Sequence, residues 1–314
     1  MPTLLLSHAA CLLHDTGPGH PERPDRLRAV ETALSVPRFA SLVRQDAPLA
    51  DVTVIERVHS AAYIDSIRQA EPPTPDSPRV MLDSDTPMSH GSFEAALRAC
   101  GAATAAVDQV MTGKAANAFC ATRPPGHHAE TNSVQGFCLF SNAAIAAKHA
   151  RAKHGAERVA VVDFDVHHGN GTQEIFWNER DLFYASTHQM PLFPGTGALR
   201  ETGAFENICN APLRAGDGGR EIRDAFNSRI LPALRNFGFD LLIISAGFDA
   251  HKSDPLGGLA LIEDDFAWMT HKLVDMATAK ANGRVVSVLE GGYDLAGLAA
   301  SAASHIGVLM EAAS

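Results

Sequence analysis

The stretch Val161-Val-Asp-Phe-Asp-Val-His-His-Gly-Asn-Gly171 runs from an apolar segment straight into carboxylates and imidazoles. Its apolar part, Arg158–Phe164, is continuous rather than alternating, which is the pattern of a strand covered on both faces. Five more runs read the same way: Thr3–Ser7, Asn117–Ala121, Leu182–Ser186, Asp240–Ser245 and Arg284–Leu289. Helical patterns fall at Phe93–Met111, Asn142–His154, Glu221–Phe237 and Glu263–Lys280. Ser141 or Asn142 suits an N-cap, and Asn282-Gly283 stands just past a C-terminus. Strand and helix in alternation predict an α/β fold, a parallel sheet with helices on both faces. In such sheets ligands gather beyond the carboxyl ends of the strands.

Chemistry-bearing residues sit where that rule expects them. Asp163, Asp165 and His167 follow the Arg158–Phe164 strand at i, i+2 and i+4, one face if strand geometry persists. Carboxylates and an imidazole at a strand end suit a divalent transition metal, zinc first. The plainer alternative is a polar turn capping the next helix. Leu241-Leu-Ile-Ile-Ser-Ala-Gly-Phe-Asp249 ends a second strand on an aspartate that is either an N-cap or a third ligand. Arg123-Pro-Pro-Gly-His-His-Ala-Glu130 places two histidines after a third strand, suited to a general base and an electrostatic partner. Leu289-Glu-Gly-Gly-Tyr293 ends a fourth strand with a mobile glycine pair and a phenol able to donate to an oxyanion. Together these groups fit metal-assisted hydrolysis of an amide or ester. GxSxG, P-loop and GxGxxG signatures are missing, which removes the support for serine hydrolase, P-loop NTPase and dinucleotide readings.

Composition narrows the field further. Length alone, 314 residues, suggests two domains. Hydrophobic residues at 46% and charged residues at 20% describe an ordinary folded chain, which rules out disorder. Lys and Arg number 26 against 36 Asp and Glu, a net charge of −10 that predicts neither nucleic-acid binding nor docking on an anionic membrane. The five cysteines form no CxxC pair, as expected for reduced thiols in a cytoplasmic setting. Neither a basic leader nor a long apolar span is read in the sequence. Glu71-Pro-Pro-Thr-Pro-Asp-Ser-Pro78 reads as a surface loop.

Six motifs, in order along nearly the whole chain, resemble the histone deacetylase family, with a class II, bacterial amidohydrolase flavour. They are HPERPDR at 20–26, RPPGHHAE at 123–130, GFCLFSNAA at 136–144, DFDVHHGNGTQ at 163–173, SAGFDAHKSDPLGG at 245–258 and LEGGY at 289–293. The resemblance implies a single arginase-deacetylase domain over 1–314, an eight-stranded parallel sheet flanked by helices, in place of two domains. It implies zinc on Asp165, His167 and Asp249, with His128 as main general base and acid and His127 as its electrostatic partner. Asp163 would orient His127, and Asn170 would orient His128 where class I relatives carry an aspartate. Asparagine holds no negative charge, so His128 should be less biased towards imidazolium. Tyr293 would polarise the acyl carbonyl. A structural potassium is implied near Asp163, Asp165, the His167 backbone, Ser186 and Thr187. Gly136, Phe137 and Phe193 would wall the acyl tunnel, with His188 and Leu256 near its rim. Asp85 would hold the substrate backbone there, a role Ser89 could share.

The implied substrate is an acetylated lysine peptide or protein. Acetylpolyamines and small acyl amides are the alternatives, and a non-catalytic binding member of the fold is a further one. An apolar Leu256 favours lysine-type amides, because it cannot pair with a secondary ammonium. Self-association is left open.

Overall fold

The computed structural model describes residues 1–314. Its strands are β1 (Thr3–Ser7), β2 (Val43–Asp46), β3 (Val80–Met81), β4 (Pro87–Met88), β5 (Asn117–Cys120), β6 (Val159–Asp163), β7 (Leu182–Gln189), β8 (Ile208–Leu213), β9 (Leu241–Ala246) and β10 (Val285–Leu289). Eight of them form one parallel sheet in the order β2-β1-β5-β10-β9-β6-β7-β8, and β3 pairs antiparallel with β4 apart from it. The helices are α1 (Asp25–Ala33), α2 (Val52–Ile55), α3 (Ala61–Ala70), α4 (Ser92–Met111), α5 (Asn142–His154), α6 (Asn170–Phe176), α7 (Gly219–Ala225), α8 (Leu231–Phe237), α9 (Glu263–Ala281) and α10 (Leu295–Ala313).

Period two decides why the central strands are apolar throughout. In β6, Ala160 and Val162 enter one core while Val159 and Val161 enter the other. The first core is closed by α1, α7, α8, α9 and α10, through residues such as Leu27, Leu234, Phe266 and Ile306. The second is closed by α2 to α6, through Ile55, Ile64, Val107, Ile145 and Phe176. Each layer buries one face of the sheet, and no central strand has a wet side.

The six anticipated strands are all present, with β7 three residues longer than expected. The two unforeseen sheet strands are both edges. Val43-Arg-Gln-Asp46 is exposed along its length, and Ile208-Cys-Asn-Ala-Pro-Leu213 carries a proline, which an edge tolerates. The helix expected over Glu221–Phe237 is interrupted by a π-turn at Phe226–Ile230, just before Pro232, which cannot donate to the helical ladder. Asn282 does end α9 in the left-handed region, at φ 52°. Ser141 precedes α5 without making a side-chain cap bond. Glu71–Pro78 is the surface loop between α3 and β3.

Candidate active site

Loops after β5, β6, β9 and β10, four neighbours at the centre of the sheet, converge on one pocket. Strand β6 stops at Asp163 and the chain bends, so the three groups expected on one face separate. Asp163 turns to the histidine pair, while Asp165 and His167 turn to Asp249. His167 Nδ1 lies 3.1 Å from Asp165 Oδ1 and 3.2 Å from Asp249 Oδ2. Asp249 precedes no helix, so it is not an N-cap. Its Oδ1 accepts from the Val166 amide at 2.8 Å. Asp165 accepts from the amides of His167 at 2.9 Å and Gly291 at 2.8 Å. Backbone donors therefore aim both carboxylates at one point.

The residues fit a metal. Their ligand atoms lie within 4.8 Å of one another, all three are buried, and no lysine or arginine pairs with them. Space is kept open by glycine: a Cβ on Gly291 would fall 2.1 Å from Asp249 Oδ2 and 2.6 Å from Asp165 Oδ2. Two carboxylates and one imidazole are a donor set for a divalent transition ion with open positions. Burial lowers the His167 pKa, but its bonds to Asp165 and Asp249 outweigh this and carry it to about 10.

The histidine pair is built asymmetrically. His127 Nδ1 meets Asp163 Oδ2 at 3.0 Å, whereas His128 Nδ1 meets Asn170 Oδ1 at 2.8 Å. Burial works against charge on both rings. At His127 it is overcome by Asp165, Asp163 and Glu290, which hold the ring well above the ordinary histidine range. At His128 burial wins, reinforced by His127 and His167, so the ring is held well below it. The two rings are thus biased in opposite directions, with their centres 4.0 Å apart. Asn170 is fixed in turn by donating to Glu130 Oε1 at 2.9 Å and Gln135 Oε1 at 2.5 Å.

Above these groups the pocket encloses about 270 Å³. Phe137, Leu192, Phe193, Leu256 and Asp85 line it. Gly136 has φ 55°, and a Cβ there would press 2.3 Å from His128 Cδ2, so only glycine fits. The Phe137 ring meets Tyr293 edge-on at 5.9 Å, and Phe193 meets His128 at 5.1 Å. Burial and then Asp83 raise the Asp85 pKa.

His188 is not at the rim. Strand β7 continues through it, which places it two residues beyond Ser186 on the same face and leaves it wholly buried. Its Nδ1 pairs with Ser186 Oγ at 2.9 Å, and its Nε2 donates to the Gly197 carbonyl at 3.0 Å. Leu192 lines the pocket instead. Ser89 is also turned away, accepting from the Asp15 amide at 2.8 Å. Thr187 Oγ1 is buried without a protein partner.

Several supporting residues carry no role in the sequence reading. Glu22, Arg26 and Arg123 are fully buried together, with Glu22 2.6 Å from Arg123 Nη2 and 3.0 Å from Arg26 Nη1. Arg26 donates to the Gly292 carbonyl at 2.6 Å, and its guanidinium lies 4.8 Å from the Tyr293 ring centre. Glu290 accepts from the amides of Gly126 at 2.7 Å and His127 at 3.1 Å, so it holds the histidine loop. Tyr184 donates to Asp163 Oδ2 at 2.9 Å. HPERPDR and LEGGY were the available signals for Glu22, Arg26 and Glu290.

Residues 20–309 match the histone deacetylase domain. A histone deacetylase-like amidohydrolase of Pseudomonas aeruginosa is 38% identical over 90% of this chain and 79% of its own. The chloroplastic histone deacetylase 10 of rice is 36% identical over 90% and 68%. An uncharacterized protein of Synechocystis is 42% identical over 95% and 96%. The crystal structure of the HDA15 HD domain superposes with a TM-score of 0.93 at 36% identity, covering 99% of this chain and 88% of that one. Matched in sequence and in three dimensions along most of its length, the chain belongs to the histone deacetylase family and is a hydrolase of the deacetylase and amidohydrolase type.

Proposed function

We propose that this protein is a zinc-dependent deacylase that removes acetyl or other short acyl groups from lysine-type amides. The observation that carries this reading is a metal-fitting cradle of Asp165, His167 and Asp249 that shares one apolar pocket with His128 and Tyr293. Zinc, when bound, supplies Lewis acidity for the acyl carbonyl and brings the pKa of water down to about 7. The chain's own groups do the rest. Phe137 and Phe193 exclude water and receive the aliphatic stem of the acylated amine. Neutral His128 accepts a proton from the attacking water and returns it to the leaving amine. His127, biased towards its cation by Asp165 and Asp163, stabilises the negative charge that develops on the acyl oxygen, and Tyr293 donates a hydrogen bond to that oxygen. Asp85, in the pocket lining, is suited to accept from the N–H groups of a peptide substrate.

The potassium implied by the sequence resemblance is part of the same reading. Asp163, Asp165, the His167 backbone, Ser186 and Thr187 would hold it, and Asp163 and Ser186 stand opposite one another on the paired strands β6 and β7. Leu256 on the pocket wall favours a lysine stem over a polyamine chain. Comparing kcat/KM for an acetyl-lysine peptide and N-acetylputrescine tests the substrate class. The wild type should prefer the peptide, and Leu256→Glu should shift preference towards the polyamine. Tenfold preference of the wild type for acetylputrescine, about 1.4 kcal/mol of discrimination, would reverse the assignment.

A further inference from the structure

Tyr293 stands on the segment Glu290-Gly291-Gly292, and Gly292 adopts φ 125°. Two glycines in sequence give no steric preference for one direction of the phenol. Something else must set it. On the carbonyl side, Arg26 donates to the Gly292 and Glu290 oxygens at 2.6 and 2.5 Å. On the amide side, one carboxylate does the work. Asp254 Oδ2 accepts from the Tyr293 N–H at 2.6 Å and from the Asp294 N–H at 3.1 Å. Its other oxygen, Oδ1, accepts from the Leu256 N–H at 3.0 Å. Asp254 is only 7% exposed, so water is poorly placed to replace it. Its own amide is tied to the His251 carbonyl at 2.9 Å.

We propose that Asp254 is a positioning residue for the reaction. It fixes the backbone amides of Tyr293 and Asp294, holding the phenol over the pocket, and through Leu256 ties that placement to the pocket wall. This inference rests on the role given above to Tyr293. A residue that acts only through the Tyr293 hydroxyl has nothing left to lose once that hydroxyl is gone.

The test is a double-mutant cycle on the metal-loaded enzyme with an acetyl-lysine peptide. Asp254→Ala should lower kcat by about 10- to 100-fold, short of or equal to the loss of an oxyanion donor. Metal content should be retained and KM should stay within about threefold. In the Tyr293→Phe background the same substitution should cost less than about twofold in kcat. Asp254→Asn serves where the alanine variant does not fold. It keeps an acceptor oxygen for Tyr293 and Asp294 but sets an amide N–H against Leu256, and the same non-additivity is expected. Wild-type kcat in both Asp254 variants, or a loss that repeats in full in the Tyr293→Phe background, overturns the role of Asp254. Full turnover in Tyr293→Phe alone overturns the reading of Tyr293 and this inference with it.

Discussion

Two clusters of histidine and aspartate could each offer three atoms to a metal: Asp165, His167 and Asp249 at the sheet centre, and Asp108, His149 and His154 between α4 and α5. By proximity alone they are equivalent. Their surroundings separate them. Asp108 is paired by Lys153 at 2.7 Å, and Arg57 donates to His149 Nδ1 at 2.9 Å. That bond leaves the hydrogen of His149 on Nε2, where it points at Asp108 Oδ1 at 2.8 Å. A metal-binding histidine needs an acceptor, not a cation, behind it. The outer cluster is an ion-pair knot that already neutralises itself. At the inner cluster backbone amides orient the carboxylates and no lysine or arginine competes. Local composition does not make a metal centre; the surrounding donors and the exclusion of cations do.

The largest effect should follow from breaking the inner cluster. Asp249→Ala should reduce turnover to background in a steady-state assay while circular dichroism shows the fold intact. Next comes the asymmetry of the histidine pair. His128→Ala should lower kcat by about 10²–10⁴-fold and by more than His127→Ala at every pH assayed, because His128 moves the protons. A greater loss for His127→Ala throughout would exchange the two roles.

The buried triad of Glu22, Arg26 and Arg123 supports the phenol side of the site and should register in stability. Burial pushes the Glu22 carboxyl up, but Arg123 and Arg26 outweigh it and hold the pKa at about 2, against 4.5 when unperturbed. Its folded pKa is depressed, so the stabilisation is complete above pH 4.5 and disappears as pH falls towards 2. The difference corresponds to about 3 kcal/mol. Urea unfolding of wild type and Glu22→Gln should show that gap at pH 7 and its closure in acid. A constant gap down to pH 2 would contradict the assignment. The smallest effect belongs to the outer cluster. Asp108→Ala should leave kcat and KM unchanged and cost about 1–2 kcal/mol of stability, because the buried His149 N–H loses its acceptor.

Buried strands were legible because both faces demand apolar residues, which produces continuous runs such as Leu241-Leu-Ile-Ile. The edges were not, since Val43-Arg-Gln-Asp46 meets water and shows no run. Metal-type residues and the histidine pair stood out because they follow such runs directly. His188 was misplaced because nothing in the sequence marks where β7 ends, and the strand carries it inward. Glu290 meets Gly126 across 164 residues and Arg123 meets Glu22 across 101. Contacts of that separation leave no local pattern, so although HPERPDR and LEGGY contain Glu22, Arg26 and Glu290, what these residues hold is visible only in three dimensions.

Metal analysis of three purified proteins decides which cluster is the metal centre: wild type, Asp249→Ala and Asp108→Ala, each exchanged against a zinc buffer. One tightly held zinc per chain is expected in wild type and in Asp108→Ala, and its loss from Asp249→Ala. Full zinc in Asp249→Ala, or loss on changing Asp108, would contradict that expectation.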